Sequence, residues 1–388
     1  MAGHIKKHGP GKWLITVEAG KDPGTGKRKR IRRVFEGKKA DAERELARLV
    51  AEAEKGTFLD TSKMTFGEYL TAWLEDYGSI RLSPTTQRRY SQIINLRVIP
   101  KLGQVPLNQL KPFHIQNFYR QLIEEGRLDG KGPLSHASIV YHHRVIHKAL
   151  DSALKQQLIQ VNPADAVEIP KPPPTIDDAD EVENVKVLSG KEIEILQEAS
   201  KDTPYYALIF VAIRTGLRRG ELLGLRWKDI DFKEKTLTVR QTLGYTPEKG
   251  IYFKVPKTKK SRRKIDISDE VVKVLKEHRK KQLQEKLFHG QTYQDNDLVF
   301  CQPNGAPMHP DTPSSWFPDF LEKIGLPRLT FHCLRHTHAS LLLQAGVDIK
   351  VISERLGHSS IRITYDIYSH LMPGMQKEAV NKLENLLK

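Results

Sequence analysis

The sequence is poor in cysteine and contains no long apolar run. Its 388 residues include only two cysteines, Cys301 and Cys333. This count excludes a disulfide framework and a four-cysteine zinc site, and it favours a reducing, cytoplasmic setting. No run of about 18 apolar residues occurs, and the N-terminus lacks the apolar segment of a signal peptide. We therefore expect neither membrane insertion nor secretion.

Acidic residues are scarce relative to basic ones. The chain has 63 Lys and Arg against 47 Asp and Glu, which gives a net charge of +16. This excess favours a polyanionic partner, either nucleic acid or an anionic membrane surface. The length of 388 residues suggests two or three domains, and an apolar fraction of 38% is enough for several small cores.

Residues 1–60 combine an alternating apolar pattern with a strong excess of Lys and Arg. Trp13, Ile15 and Val17 alternate with polar residues, and a second strand-like stretch follows a turn, which predicts a small β-sheet. Apolar residues then recur at helical spacing until Gly56, which predicts one packed helix. The basic residues crowd the strands, which favours nucleic-acid binding. A basic surface that serves only solubility is the alternative.

Residues 64–169 are predicted to form a compact bundle of four or five helices. The first helix begins with a capping box, in which Thr65 is the N-cap and Glu68 its partner, and it continues with an apolar face. Basic residues interleaved with aromatics predict a surface that clasps DNA. They are Arg88, Arg89, Arg97, His142, His143, Arg144 and Lys148. A plain bundle with a solvated basic face is the alternative.

The remaining sequence is predicted to be a linker, residues 170–186, followed by a mainly helical segment with strands, residues 187–388. The linker is proline-rich and then acidic, so it has little to bury in a core. Within residues 187–388, a lysine-rich stretch lies at the tip of a predicted hairpin. This basic finger either contacts phosphates or is simply solvated. Its basic residues are Lys257, Lys259, Lys260, Arg262 and Arg263.

One candidate site residue lies beside a long apolar stretch. Arg218 follows an apolar helix and precedes a leucine-rich run, so it is either paired with Glu221 or serves a site. A later helix places His332 and Arg335 three residues apart on one face. A zinc site built from the same stretch is an alternative, but one helix cannot turn four ligands toward one ion. Those ligands would be His332, Cys333, His336 and His338.

Five stretches in this segment resemble the successive motifs of the tyrosine recombinase, or phage integrase, family. They are TGLRRGELLGLRW, PKTKKSRR, FHCLRHTHAS, LGHSS and YDIYSHL, in the order and at the spacing of that family. The predicted helical bundle resembles the family's core-binding domain. The basic N-terminal sheet resembles the arm-binding domain of integrases from phages and conjugative transposons.

The resemblance implies six catalytic residues: Arg218, Lys257, His332, Arg335, His358 and Tyr368. The two arginines bind the scissile phosphate, and Tyr368 attacks it to form a 3′-phosphotyrosine. Lys257 protonates the leaving 5′ oxygen, although Lys259 or Lys260 fits the same motif after a slip in alignment. His332 helps to accept the tyrosine proton and His358 hydrogen-bonds the phosphate. Tyr365 is the alternative nucleophile.

The resemblance further implies a multidomain α+β protein: a small N-terminal sheet with one helix, a helical core-binding domain, and a mainly α catalytic domain with a small antiparallel sheet. It would integrate and excise a mobile element by chemistry like that of type IB topoisomerases, without metal or cofactor. Expected partners are double-stranded DNA with core and arm sites, a homotetramer on DNA, and an excisionase or host DNA-bending protein. The expected location is the cytoplasm, on the nucleoid. A C-terminal helix, residues 375–388, would close its own core or dock on a neighbouring subunit. A non-enzymatic DNA-binding protein with this fold is the alternative.

Overall fold

The chain divides into two compact units, Met1–Pro173 and Pro174–Lys388. The computed structural model describes residues 3–21, 28–54, 64–130, 132–170, 186–256 and 262–368, together with residues 384 and 387. Most of the predicted linker and nearly all of the predicted C-terminal helix lie outside the described residues. Within the described segments, no helix has the length and apolar character needed to cross a membrane.

The N-terminal sheet and its helix form as predicted. Three antiparallel strands, β1 (Gly3–Gly9), β2 (Lys12–Lys21) and β3 (Arg28–Glu36), are followed by helix α1 (Lys39–Glu54). The period-two alternation in β2 sends Ile15 and Val17 to one face of the sheet, where they are fully buried against Leu49 of α1. Basic side chains of the sheet such as Lys6, Lys7 and Arg32 are exposed outside this small core.

The first unit also contains a helical bundle. Its helices are α2 (Phe66–Arg81), α3 (Pro84–Ile93), α4 (Ile99–Leu102), α5 (Pro112–Glu124) and α6 (His136–Lys155). The predicted capping box is confirmed, since the Glu68 N–H donates to the Thr65 hydroxyl and the Thr65 N–H donates to the Glu68 carboxylate. A π-helical turn, Ile94–Val98, joins α3 to α4 just before Pro100. Proline lacks the N–H that a continuous helix needs at that point.

The predicted basic surface of the bundle is partly wrong. His142 is buried, and its Nδ1 lies 2.7 Å from the Ser138 carbonyl oxygen one turn earlier. The ring is therefore part of the core. Burial lowers the pKa of His142, so the ring adds no positive charge to the surface at neutral pH. Arg89 remains on the surface, where its guanidinium lies 4.2 Å from the centre of the Tyr141 ring.

The second unit is mainly helical and carries two small sheets. Its helices are α7 (Gly190–Ser200), α8 (Tyr206–Thr215), α9 (Arg219–Leu223), α10 (Asp269–His289), α11 (Asp311–Lys323), α12 (Cys333–Gln344), α13 (Ile349–Leu356) and α14 (Ile361–Tyr368). Its strands are β4 (Ile230–Asp231), β5 (Thr236–Thr238), β6 (Thr242–Thr246), β7 (Gly250–Lys254) and β8 (Lys264–Asp266). Helix α8 is buried along nearly its whole length and forms the centre of the core.

The strand pairing differs from the expected basic hairpin. Strand β7 pairs with β6, whereas β8 pairs with β5 in the other sheet. Among the described residues, β7 and β8 therefore do not pair with each other, although the expected hairpin requires this pairing. Residues 257–261, which include Lys257, Lys259 and Lys260, lie outside the described residues. Arg263 was expected on the finger, but it is buried in the unit.

Candidate active site

Arg218 stands at the junction of two helices. Helix α8 ends at Gly216, whose φ of 63° lies in the left-handed region that suits glycine. Arg218 is then the N-cap of α9, and its guanidinium donates to the Leu356 and Gly357 carbonyl oxygens over 3.4 and 3.3 Å. The side chain remains 38% exposed, so it can reach a ligand from solvent.

Arg335 lies on the first turn of α12 and is 3% exposed. Its guanidinium donates to the Gly216 carbonyl over 2.7 Å and to the Leu356 carbonyl over 2.8 Å. The Leu356 oxygen therefore receives hydrogen bonds from both Arg218 and Arg335, which places the two guanidiniums side by side. Burial and then the charge of Arg218 lower the pKa of Arg335 to about 9, which still leaves the guanidinium charged at neutral pH.

A buried carboxylate holds this cluster together. The Glu221 carboxylate accepts from Arg218 over 3.0 Å, and from the two terminal nitrogens of Arg263 over 3.1 and 2.9 Å. Burial alone would raise the pKa of Glu221, but the hydrogen bonds and charges of Arg263 and Arg218 outweigh it, so the pKa is lowered. The Arg218 and Arg263 guanidiniums thus share one carboxylate, and Arg335 lies beside Arg218, so the excess positive charge makes the pocket an anion site.

His358 follows the end of α13 and faces the same cluster. Gly357 closes the helix with a φ of 67°, and a Cβ at that position would lie 2.8 Å from Arg263. The Nδ1 of His358 is 2.7 Å from the Thr364 hydroxyl. Burial, followed by the charges of Arg335 and Arg218, lowers the pKa of His358 to about 4. The ring is therefore neutral at neutral pH and can donate one hydrogen bond.

The two tyrosines of α14 have opposite environments. Tyr368 is 1% exposed and packs with Ala339, Ile352 and Leu356, whereas Tyr365 is 57% exposed. Burial raises the pKa of Tyr368 to about 12, although the charge of Arg335 acts in the other direction. Tyr368 therefore lies within the electrostatic reach of the arginine cluster, and Tyr365 faces solvent.

The four residues suggested as zinc ligands lie in three different environments. The rings of His332 and His336 meet edge to face with centres 4.8 Å apart. His338 Nδ1 lies 2.8 Å from the Ile213 carbonyl oxygen, and its Nε2 accepts from Arg355. Cys333 is buried in the main core, and burial raises the pKa of its thiol to about 12. Within the described residues, no group of three or more His, Cys, Asp or Glu side chains could hold a metal.

Two contacts in the site were not anticipated from the sequence. The Nδ1 of His336 lies 2.8 Å from the Tyr368 hydroxyl, whereas the sequence suggested His336 only as a ligand of a zinc site. Arg263 contacts Glu221 from a position 42 residues later in the chain. The predicted Lys257 lies outside the described residues.

Comparison with known proteins identifies the family. Residues 186–374 match the phage integrase family, and residues 65–123 match the N-terminal SAM-like domain of phage integrases. A tyrosine recombinase XerC-like protein from Caldanaerobacter subterraneus subsp. tengcongensis is 32% identical over 394 residues, which cover 98% of this chain and 97% of that protein. The chain belongs to the phage integrase family of tyrosine recombinases. It is accordingly an enzyme of site-specific DNA recombination.

Other relatives of this recombinase agree with the assignment. The ICEBs1 integrase of Bacillus subtilis is 30% identical over 390 residues, covering 99% of this chain and all of that protein. The fold matches the Tn1549 transposon integrase in complex with transposon right end DNA, with a TM-score of 0.66 and 22% identity over 84% of this chain and all of that one. It also matches a lambda integrase dimer bound to a COC′ core site, with a TM-score of 0.55 and 20% identity over 78% and 95% of the two chains.

Proposed function

We propose that this recombinase cleaves and rejoins DNA through a 3′-phosphotyrosine on Tyr368, and that it integrates and excises a mobile element. The observation that carries the proposal is the meeting of two guanidiniums on one carbonyl oxygen, that of Leu356, in a unit that also buries Tyr368. Two planar guanidiniums side by side present parallel N–H donors to a phosphate, which favours bidentate binding.

The proposed chemistry transfers one phosphoryl group from the 5′ oxygen of the DNA to the Tyr368 oxygen. The phenolic oxygen of Tyr368 attacks the phosphorus and the P–O5′ bond breaks, so the bonding pair passes to the 5′ oxygen. Negative charge grows on the non-bridging oxygens, where Arg218 and Arg335 stabilise it. In this scheme Lys257 gives a proton to the 5′ oxygen, and His358 donates a hydrogen bond to the phosphate. Attack by a 5′ hydroxyl reverses the steps and rejoins the strand.

The neutral state of His358 suits the role proposed for it. Its pKa of about 4 keeps the imidazole uncharged, and its Nδ1 is occupied by Thr364. The other ring nitrogen can then point at a phosphate oxygen. A histidine held in this way contributes orientation to the bound phosphate.

The proposed partners follow from charge and from the relatives. Double-stranded DNA is the expected substrate because the chain carries a net charge of +16 and related integrases have been solved on DNA. The lambda integrase has been solved as a tetramer on a Holliday junction, and we propose a tetramer on DNA for this chain. An excisionase or host DNA-bending protein would complete the assembly. The proposed location is the nucleoid in the cytoplasm.

We propose distinct roles for four segments of the chain. Residues 1–60 would bind arm sites and residues 64–169 would bind the core site. Residues 170–186 would link them to the catalytic domain, residues 187–388. The separate cores of the N-terminal sheet and of the helical bundle support the first division, and the boundary between the two compact units at residue 173 supports the second.

Trapping the covalent intermediate tests the proposed function. The substrate is a duplex carrying the sequence that the protein selects from a random DNA library, nicked beside the scissile bond so that the cleaved strand diffuses away. The unmodified protein should accumulate a covalent adduct. Tyr368→Phe should bind the same DNA and form none, because it lacks the attacking oxygen. Tyr365→Phe is the matched control on the same helix and should cleave normally.

The opposite results have clear meanings. Normal cleavage by Tyr368→Phe would show that the nucleophile is another residue. Binding without any adduct by the unmodified protein would favour the alternative of a non-enzymatic DNA-binding protein.

A further inference from the structure

The hydroxyl of Tyr368 has a defined partner on a neighbouring helix. His336 lies on α12 directly after Arg335, and its Nδ1 is 2.8 Å from the Tyr368 oxygen. The two rings lie 5.8 Å apart at an angle of 56°. This distance is that of a good hydrogen bond, and it joins a potential proton acceptor to the atom that must lose a proton.

The protonation states of the pair favour donation by the tyrosine. Burial raises the pKa of Tyr368 to about 12, so the phenol keeps its proton at neutral pH. Burial, then the charges of His332 and Arg335, lower the pKa of His336 to about 4. A neutral imidazole has one ring nitrogen without a proton. When that nitrogen is Nδ1, the buried phenol has the acceptor that a buried donor needs.

We propose that His336 positions Tyr368 and takes its phenolic proton during DNA cleavage. This inference rests on the proposed function of Tyr368 as the nucleophile. It assigns the proton to a residue outside the six that the family resemblance implies, and it leaves His332 to support the His336 ring through the edge-to-face contact.

The proton and electron balance of the step is complete. As the Tyr368 oxygen forms its bond to phosphorus, its proton moves to Nδ1 of His336 and the ring becomes an imidazolium. The electron pair of the broken P–O5′ bond goes to the 5′ oxygen, which receives a different proton from the general acid. During rejoining, the imidazolium returns its proton to the leaving phenolic oxygen.

The charges around His336 link its basicity to DNA binding. Without DNA, burial, His332 and Arg335 lower the pKa of His336, and His336 in turn contributes to the low pKa of His358. A phosphate held by the arginines brings a negative charge into the same pocket. An added negative charge favours the imidazolium and raises its pKa. His336 thus becomes a stronger base only when a phosphodiester is present.

A sulfur substitution in the DNA separates the two proton transfers. In a 5′-bridging phosphorothiolate, the leaving sulfur needs no general acid, but the tyrosine must still lose its proton. We compare single-turnover adduct formation on the oxygen and sulfur versions of the nicked duplex. His336→Asn should be slower by about 100-fold on both substrates. Lys257→Ala, if it lacks the general acid, should recover on sulfur. His289→Asn, at the end of α10, is the control histidine and should match the unmodified protein on both.

The outcomes separate this inference from the proposed function. If His336→Asn forms adduct at the unmodified rate while Tyr368→Phe forms none, the inference is wrong and the proposed function stands. If sulfur restores His336→Asn, His336 acts at the leaving group and the inference is also wrong. An adduct formed by Tyr368→Phe would instead overturn the proposed function.

Folding and tautomer are checked independently. The thermal melting of His336→Asn is compared with that of the unmodified protein, and His336→Gln is used if the first variant does not fold. A measurement on the unmodified protein needs no substitution at all. The ¹⁵N chemical shift of His336 Nδ1 should be that of a ring nitrogen without a proton, and the shift of a protonated Nδ1 would overturn the inference.

Discussion

The substitution Glu221→Gln tests how the arginine cluster is held together. The Glu221 carboxylate is 3% exposed and accepts four hydrogen bonds, two from Arg218 and two from Arg263. Glutamine has nearly the same shape, but one of its terminal atoms is an N–H donor. That donor would face the N–H groups of an arginine, and the Arg218 and Arg263 guanidiniums would be left without their shared counterion.

The expected loss of stability is large. Removing one partner of a buried ion pair costs about 3–5 kcal/mol, because the remaining charge is uncompensated. For a unit of the size of Pro174–Lys388, this corresponds to a fall in melting temperature of about 6–20 °C. Arg218 would also lose the contacts that orient it, so DNA cleavage by the folded fraction should slow.

Urea unfolding followed by circular dichroism measures the effect. Glu194→Gln, at an exposed position on α7, is the matched control and should unfold like the unmodified protein. Because the pKa of Glu221 is lowered in the folded state, its stabilisation is present above the ordinary carboxyl pKa and is lost as the pH falls through the folded pKa. The difference between Glu221→Gln and the unmodified protein should therefore shrink in acid. Equal stability of the two proteins at neutral pH would refute this account of the cluster.

Three further predictions concern backbone, pH and domain roles. Gly216→Ala should cost about 2 kcal/mol or more, because φ is 63° and the new Cβ would lie 2.5 Å from His338; urea unfolding measures this, and an unchanged midpoint would contradict it. The second unit should lose more than about 2 kcal/mol as the pH falls from about 6.5 to about 4, because burial lowers the pKa of His336, His338 and His358 to about 4, so the unfolded chain binds these protons first. Melting at stepped pH checks the direction, and a flat profile would contradict it. Deleting residues 1–60 should abolish binding to arm sites and leave cleavage at the core site, and unchanged binding to both in a mobility-shift assay would remove the arm-binding role.

The parts of the fold that local sequence signals determine were predicted well. The capping box of Thr65 and Glu68 acts within a few residues of a helix end, and it is present. The alternation of Trp13, Ile15 and Val17 likewise predicted a strand, and all three lie on β2, where Ile15 and Val17 are fully buried. Such signals depend on backbone geometry that neighbouring residues determine, so they can be recognised in the sequence without knowledge of the tertiary fold.

The contacts that were missed join residues distant in the chain. Arg263 was assigned to an exposed finger because its neighbours are basic, but its position is decided by Glu221, which is 42 residues earlier. The contact of His336 with Tyr368 was missed because Tyr368 lies on α14, 32 residues later. His142 falls on the buried face of α6 among basic neighbours. In each case tertiary packing decided what the side chain contacts, whereas its neighbours in the sequence suggested a different environment.

The nucleophile can be identified directly by mass spectrometry of the trapped DNA complex. The covalent adduct on the nicked duplex is digested with a protease and a nuclease, and the peptide that retains a nucleotide is sequenced. The account predicts that the modification is on Tyr368, the tyrosine that is buried beside the arginine cluster and whose hydroxyl contacts His336. A nucleotide attached to Tyr365, or to any residue outside α14, would contradict it.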